Sequence, residues 1–105
     1  MALEGLVNGS RTRLRDMSTP ISDEDLKEIL DRCNAATPGP WVSYIEGRDH
    51  TSGSDFIMTG TIEKRGNDIE LSGATQADQD FIAHARQDVL RLVAEIQRLK
   101  QLLSR

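Results

Sequence analysis

The fold is decided by the last third of the chain, residues 75–104, which reads TQADQDFIAHARQDVLRLVAEIQRLKQLLS. Apolar side chains recur there at alternating steps of three and four residues, the spacing of one face of an α-helix. The stripe consists of Ile82, Ala85, Val89, Leu92, Ile96, Leu99 and Leu103, and it is widened by Phe81, Val93 and Leu102. This width is typical of a helix that covers a sheet, so we expect one long amphipathic helix in that position.

Both ends of this helix carry residues that stabilise helix termini. Thr75 can cap the first turn, and Asp78 places negative charge near the positive end of the helix dipole. Lys100 and Arg105 put positive charge near the other end. A helix of this length extends over about 43 Å, which is more than a small domain needs to cover itself. Part of it should therefore project or meet a second surface.

A shorter helix is predicted to begin after Ser22. Ser22 and Asp25 have the spacing of a capping box, and Ile21 can pack on Leu26 across the first turn. One apolar face follows at helical spacing, formed by Leu26, Ile29, Leu30 and Cys33. The helix should end at residue 35 or 36, because Pro38 disfavours helical geometry in the residue before it.

Between the helices the pattern changes to that of strands. A Pro38-Gly39-Pro40 corner leads into Trp41, and we predict strands over 41–46, 55–63 and 69–71. The expected fold is α+β: a helix, a three-stranded antiparallel meander and a long C-terminal helix. Both helices should pack on one sheet face, which carries Trp41, Phe56, Met58 and Ile62.

Residues 1–20 show no apolar periodicity, and we predict a flexible tail followed by a single α+β domain over 21–105. Met17 opens a run that could itself serve as a start. Cys33 is the single cysteine, so no intramolecular disulfide can form. Neither a signal-peptide core nor a membrane-spanning run is apparent, and we expect a cytoplasmic protein that does not contact a membrane.

The charge is unevenly distributed along the chain. The net charge is -4, but residues 16–80 contain fourteen acidic and five basic side chains, whereas residues 81–105 contain two acidic and five basic ones. An acidic body repels nucleic-acid backbone and attracts basic protein surfaces. We therefore expect a basic protein partner and no direct contact with nucleic acid; surface solubility is the simpler explanation of the same imbalance.

Few residues suggest catalysis or metal binding. Arg48, Asp49, His50, Thr51 and Ser52 include the groups used in acid–base or nucleophilic chemistry, but they share one polar loop without apolar residues to perturb their pKa values. A second pattern aligns Asp80, His84 and Asp88 along the long helix, where a metal site and a row of exposed ion pairs are both open interpretations. We expect no enzyme, metal or cofactor.

Two resemblances bear on function. The run from Ala35 to Trp41, together with Asp78-x-x-Phe81-Ile82-Ala83 and Asp88-Val89-Leu90, is similar to small phage-borne and bacterial accessory proteins over roughly residues 22–103. That resemblance implies a shared fold more than an activity. The overall profile of a small, acidic, single-domain chain also resembles immunity proteins of contact-dependent growth inhibition systems.

The leading hypothesis is a non-enzymatic acidic protein that neutralises a basic partner, namely the nuclease domain of an interbacterial toxin. The residues expected to bind this partner lie in the sheet and its loops: Tyr44, Glu46, Asp49, Asp55, Asp68 and Glu70. Tyr44 would be an aromatic anchor. The alternative is a phage-type accessory or regulatory protein that acts through its long C-terminal helix, by self-association or by pairing with another helix.

Overall fold

The computed structural model describes residues 19–104. In this range the chain forms helix α1 (Asp23–Ala35), strands β1 (Trp41–Tyr44) and β2 (Phe56–Thr59), and helix α2 (Gln76–Leu103). The predicted α+β class is confirmed. No helix among these residues is both long and apolar enough to cross a lipid bilayer. Apart from residues 19 and 20, the predicted N-terminal tail lies outside the described residues.

Both helices begin with the capping residues that the sequence indicates. The Ser22 hydroxyl accepts the N–H of Asp25, and the Asp25 carboxylate accepts the N–H of Ser22. Thr75 and Asp78 repeat this reciprocal arrangement at the start of α2. Each box pairs two N–H groups that the helix itself leaves without partners. α1 ends at Ala35, ahead of the proline corner.

Within residues 19–104 the sheet contains two strands, and the third strand of the predicted meander is not formed. β1 and β2 pair antiparallel, with Trp41 opposite Thr59 and Tyr44 opposite Phe56. The third segment contributes a single bridge between Ile69 and Ile57. It does not extend into a ladder towards residue 67, because the carbonyl of Asn67 accepts the side-chain hydroxyl of Thr59 rather than a backbone N–H.

The strand register also corrects the predicted composition of the sheet faces. Trp41 and Thr59 lie on one face, whereas Phe56 and Met58 lie on the opposite face with their partners in β1. Ile62 follows the strand and is 86% exposed. The predicted apolar face of Trp41, Phe56, Met58 and Ile62 is therefore wrong. A shift of one residue in the pairing moves every side chain of a strand to the other face of the sheet. The alternation of apolar and polar residues within each strand therefore does not show which residues of the two strands share a face.

Helix α2 is joined to the sheet by two glutamine side chains. Buried Gln79 directs its Nε2 at the Ser43 hydroxyl (2.9 Å) and at two strand carbonyls, those of Tyr44 (3.2 Å) and Phe56 (3.1 Å). Two turns later, Gln87 Oε1 accepts the N–H of Trp41 at 2.6 Å and Nε2 donates to the Trp41 carbonyl at 3.2 Å. Gln87 thus pairs both backbone groups of Trp41, and Gln79 adds a further donor to two carbonyls of the β1–β2 ladder.

Helix α1 packs on α2 and makes no packing contact with the two strands, so the prediction that both helices cover the sheet is wrong. Asp23 forms an ion pair with Lys100 at one end, and Arg86 Nε donates to the Thr37 carbonyl at 2.9 Å near the other. α1 therefore runs antiparallel to the second half of α2. Since α2 is about 42 Å long, its first half covers the short sheet and its second half covers α1.

The apolar stripe of α2 does not face the sheet. Ala83 is buried on the inner side at 1% exposure, and Val93, at the edge of the predicted stripe, is buried at 4%. Four residues of the predicted apolar side are largely exposed, at 74%, 60%, 44% and 86%: Phe81, Leu92, Leu99 and Leu103. At 3.6 residues per turn these four lie on one side of the helix, and we call them the outer ridge. The expectation that this stripe covers the sheet is wrong.

Candidate partner-binding site

The predicted partner-binding residues centre on the loop of residues 45–55, which joins β1 to β2 and is here called the acidic loop. Ile45 is fully buried and fixes the start of this loop against the core. The three predicted carboxylates of the loop, Glu46, Asp49 and Asp55, are all exposed. Each of them nevertheless accepts a hydrogen bond from a backbone N–H group of the loop itself.

Asp49 closes the first turn of the loop. Its Oδ2 accepts the N–H of Ile45 at 2.8 Å, while the Ile45 carbonyl accepts the N–H groups of Arg48 and Asp49. Gly47 occupies the left-handed region, with φ of 83°, which glycine adopts without the steric cost of a side chain. The neighbouring Arg48 guanidinium, followed by the Ile45 amide, lowers the pKa of Asp49. The carboxylate is thus stabilised in its charged form.

Glu46 and Asp55 hold the two ends of the loop together. Asp55 Oδ1 accepts the N–H of Glu46 at 2.7 Å, and Glu46 Oε1 accepts the N–H of Gly53 at 2.6 Å. Each carboxylate uses one oxygen in these contacts, and an ionised carboxylate has further acceptor sites on its second oxygen. Both groups are therefore ordered by the loop and retain capacity for an external donor.

Arg48 connects the loop to the first turns of α2. Its guanidinium binds both oxygens of Asp80, at 2.8 and 3.0 Å, and also contacts Asp49 Oδ2. Arg48 and, second, a hydrogen bond from Ser43 lower the pKa of Asp80 to about 2. A bidentate pair fixes the orientation of both partners. The result is a fourth ordered carboxylate beside the acidic loop.

Tyr44 belongs to an aromatic cluster on the sheet face opposite α2. Its ring stacks on Phe56 with centroids 5.4 Å apart, and the His50 ring lies edge-on to both, at 6.1 and 5.1 Å. Tyr44 and Phe56 are half-buried, so their rings retain exposed surface next to the carboxylates. An amphipathic aromatic ring at the margin of a charged patch is typical of an interface anchor.

His50 and Ser52 are the pair of the acidic loop closest to a catalytic arrangement. His50 Nδ1 accepts the Ser52 N–H at 3.1 Å and lies 2.6 Å from the Ser52 hydroxyl. Because Nδ1 acts as an acceptor, the neutral ring carries its proton on Nε2. That Nε2 is buried and has no hydrogen-bond partner among the described residues, so no third group orients the ring from this side. These contacts close a local turn of the loop.

The two remaining predicted residues, Asp68 and Glu70, lie on either side of the antiparallel Ile69–Ile57 bridge. Glu70 follows the bridge, on the side nearer to the acidic loop. Asp68 precedes the bridge, on the side farther from the loop, and pairs with Arg65 at 2.5 Å. The structure therefore brings Tyr44, Glu46, Asp49 and Asp55 together at one end, with Glu70 leading towards it and Asp68 farther away.

The second pattern of titratable residues does not converge on a metal. Asp80 is engaged by Arg48, and His84 Nδ1 lies 2.9 Å from the Asp80 carbonyl rather than from a carboxylate. In residues 19–104, no three His, Cys, Asp or Glu side chains are grouped to hold an ion. The metal interpretation missed the actual role of Asp80, which belongs with the acidic loop. Its partner Arg48 is 32 residues away in sequence, and no local pattern signals such a pair.

Comparisons of the chain with protein-family models, curated proteins and solved structures find no match.

Proposed function

We propose that this chain is a non-enzymatic binding protein whose acidic loop and adjoining sheet end neutralise a basic protein partner. The single observation that carries the proposal is the ordering of Glu46, Asp49 and Asp55 by backbone N–H groups of their own loop. Ordered charges lose little conformational entropy when a partner binds, so more of the interaction energy appears as affinity. Carboxylates that merely solvate a surface do not need such contacts.

The chemistry of this surface fits a cationic cleft. Asp80 binds Arg48 through both oxygens and stays ionised, with a pKa of about 2, so its charge offsets the guanidinium beside the loop. Tyr44 is half-buried and lies beside these charges. Complementary charge accelerates encounter with a basic partner, and a buried aromatic group slows its dissociation.

The class of partner that we propose is the nuclease domain of an interbacterial toxin, met in the cytoplasm, which makes this chain an immunity protein. A nuclease active site must attract phosphate backbone and is therefore lined with basic side chains. A compact acidic surface can occupy such a cleft by imitating the charge of the substrate. The single cysteine, Cys33, is consistent with a reducing compartment.

The test uses variants that remove charge and keep the hydrogen bonds. Asp49→Asn and Asp55→Asn each retain the side-chain oxygen that caps the loop backbone. The partner is captured from the native host with the wild-type chain and purified, and its association is then measured across a range of salt concentrations. The double variant should reduce the association rate constant at low salt at least about tenfold and flatten its salt dependence.

The matched control is Asp31→Asn with Glu24→Gln, two exposed acids of α1 that lie away from the acidic loop. This control should change the net charge by the same amount and leave the association rate almost unchanged. Equal rates for the wild type, the double variant and the control would contradict the assignment of this surface.

A second function is favoured by a separate observation, the exposure of the outer ridge. An accessory or regulatory protein of the phage type could act through α2, because a long helix with an uncovered apolar side is suited to helix pairing. Mutation of the ridge would then abolish function, whereas mutation of the acidic loop would not. The location of the gene beside a secreted toxin gene or within a prophage separates the two functions at little cost.

A further inference from the structure

The outer ridge presents several large, exposed apolar side chains for so small a chain. Phe81, Leu92, Leu99 and Leu103 are between 44% and 86% exposed, and Ile82 and Leu102 add 37% and 45% at its margins. With a full aromatic or large aliphatic side chain at roughly 150–250 Å², these fractions correspond to on the order of 500 Å² per chain. That is the upper range for the largest apolar patch on a monomer.

One border of the outer ridge carries charges of alternating sign. In chain order they are Asp88, Arg91, Glu95 and Arg98, at steps of three and four residues. All four are exposed or partly exposed, and Arg98 contacts Glu95 at 2.6 Å. An exposed ion pair within one helix contributes only a few tenths of a kcal/mol, so these groups can exchange partners at little cost.

We propose that two copies of this chain associate through the outer ridge, with their α2 helices antiparallel and a two-fold axis that crosses the ridge at the level of residue 93 along the helix. Reversal of the charge series about this position sets every acid beside a base: Asp88 faces Arg98 of the second copy, and Arg91 faces its Glu95. A two-fold axis repeats each contact, so each of the two ion pairs forms twice and the interface contains four of them. The surface is thus complementary to itself in charge.

The same axis pairs the apolar residues of the ridge. Leu92 lies within about one turn of its own counterpart across the axis, and Phe81 lies opposite the Leu102–Leu103 end of the second helix. The two most exposed side chains of the ridge, Leu103 and Phe81, therefore cover each other. Two such ridges with their charged borders bury about 1,200 Å² in total, the lower range for a specific interface.

The opposite orientation lacks this match. In a parallel pair, Asp88 and Glu95 would face the border that carries Val93 and Lys100. Val93 is buried and Lys100 is paired with Asp23 of α1. That border is already occupied by α1, which favours the antiparallel arrangement. The pairing is separate from the acidic loop and goes beyond the proposed partner binding.

Sedimentation equilibrium of the full chain from about 10 µM to about 1 mM tests the association. We expect the mass to rise from that of one chain to that of two. Leu92→Glu with Leu99→Glu should remain a monomer with an unchanged circular dichroism spectrum, because both positions are exposed. The matched control Gln97→Glu with Gln101→Glu changes two exposed residues away from the ridge and should dimerise as the wild type does.

Charge reversal tests the antiparallel geometry. Arg91→Glu opposes Glu95 of the second copy and should weaken dimerisation at least about tenfold, whereas Arg91→Glu combined with Glu95→Arg should restore it. Failure of the double reversal to restore dimerisation overturns the antiparallel arrangement. A wild-type chain that remains monomeric at about 1 mM overturns the proposal. That conclusion holds even if another segment of this chain or a helix of another protein covers the ridge.

Cross-linking supplies an independent readout in a Cys33→Ala background. Oxidation should join two copies of Leu92→Cys, whose positions lie close to the axis. It should not join two copies of Leu103→Cys, which the antiparallel pair separates by about 30 Å. Efficient linkage at position 103 with none at position 92 contradicts the antiparallel arrangement.

Discussion

The two long sides of α2 differ in a way that reverses the usual relation between polarity and burial. The inner side contacts the sheet through the amides of Gln79 and Gln87, with Ala83 between them. The outer side carries leucines and a phenylalanine that remain exposed. In the first half of α2 the orientation therefore follows hydrogen bonds from these amides to the strands, and the side that carries the exposed leucines and Phe81 faces away from the sheet.

The largest effect should follow from removing the buried amide of the inner side. Gln79→Leu keeps a similar volume but removes the amide that donates to the Ser43 hydroxyl and to the carbonyls of Tyr44 and Phe56, which also pair with each other across the sheet. Since the loss of a buried hydrogen-bonding partner costs about 1–3 kcal/mol and this amide makes three contacts, we expect the free energy of unfolding to fall by about 3 kcal/mol. Urea denaturation measures this change.

The control for that prediction is Gln97→Leu, the same substitution at an exposed position of α2. It should change the free energy of unfolding by less than about 0.5 kcal/mol. Equal losses in the two variants would mean that the amide of Gln79 does not fix the helix to the sheet.

An intermediate effect is expected from two neighbouring residues of α2, of which one is buried and the other exposed. Val93→Ala removes two buried carbons and should destabilise the fold by about 2 kcal/mol. Leu92→Ala removes more apolar surface, but it lies on the outer ridge and should cost less than about 0.5 kcal/mol in the monomer. Thermal or urea unfolding at low protein concentration measures both, and a larger loss for Leu92→Ala would reverse our assignment of the two sides.

The smallest effect concerns the polar contact that joins α2 to the acidic loop. The pKa of Asp80 is lowered to about 2, so the ionised form is favoured in the folded state. The stability from this contact is fully present above the unfolded pKa of about 3.9 and is lost as the pH falls towards about 2. Asp80→Asn should remove this part of the pH dependence.

Carboxyl NMR titration checks the cause directly. Arg48→Gln should raise the pKa of Asp80 back towards its ordinary value, because Arg48 supplies the main interaction. Lys27→Gln, which removes an exposed ion pair with Asp31 on α1, should leave the pKa of Asp80 unchanged. An unaltered pKa of Asp80 in Arg48→Gln would mean that the bidentate contact is not formed in solution.

The sequence predicted those features that depend on neighbouring residues. The capping pairs at Ser22 and Thr75 and the end of α1 before Pro38 are local, and the structure confirms them. The α+β class follows from the order of periodic segments, and it is confirmed as well. The six partner-binding residues and the proposed function stay predictions.

The incorrect predictions concern features that depend on contacts between residues far apart in the sequence. Which residues of β1 and β2 share a face of the sheet depends on the pairing register of the two strands. The alternation of apolar and polar residues within each strand does not reveal that register. The contacts of Gln79 with residues 43, 44 and 56 span 23 to 36 positions, so nothing local distinguishes it from an exposed glutamine. The apolar stripe was correctly located on α2, but its spacing states only that one side is apolar and not which surface covers that side.

The most direct test of the orientation of α2 is the rate of thiol modification at positions 92 and 93. In a Cys33→Ala background at low protein concentration, Leu92→Cys should react with a thiol reagent at nearly the rate of a free cysteine. Val93→Cys should react at least about a hundredfold more slowly, since modification requires opening of the buried side. Equal rates, or faster reaction at position 93, would contradict the account in which α2 buries its amide-bearing side and exposes its apolar ridge.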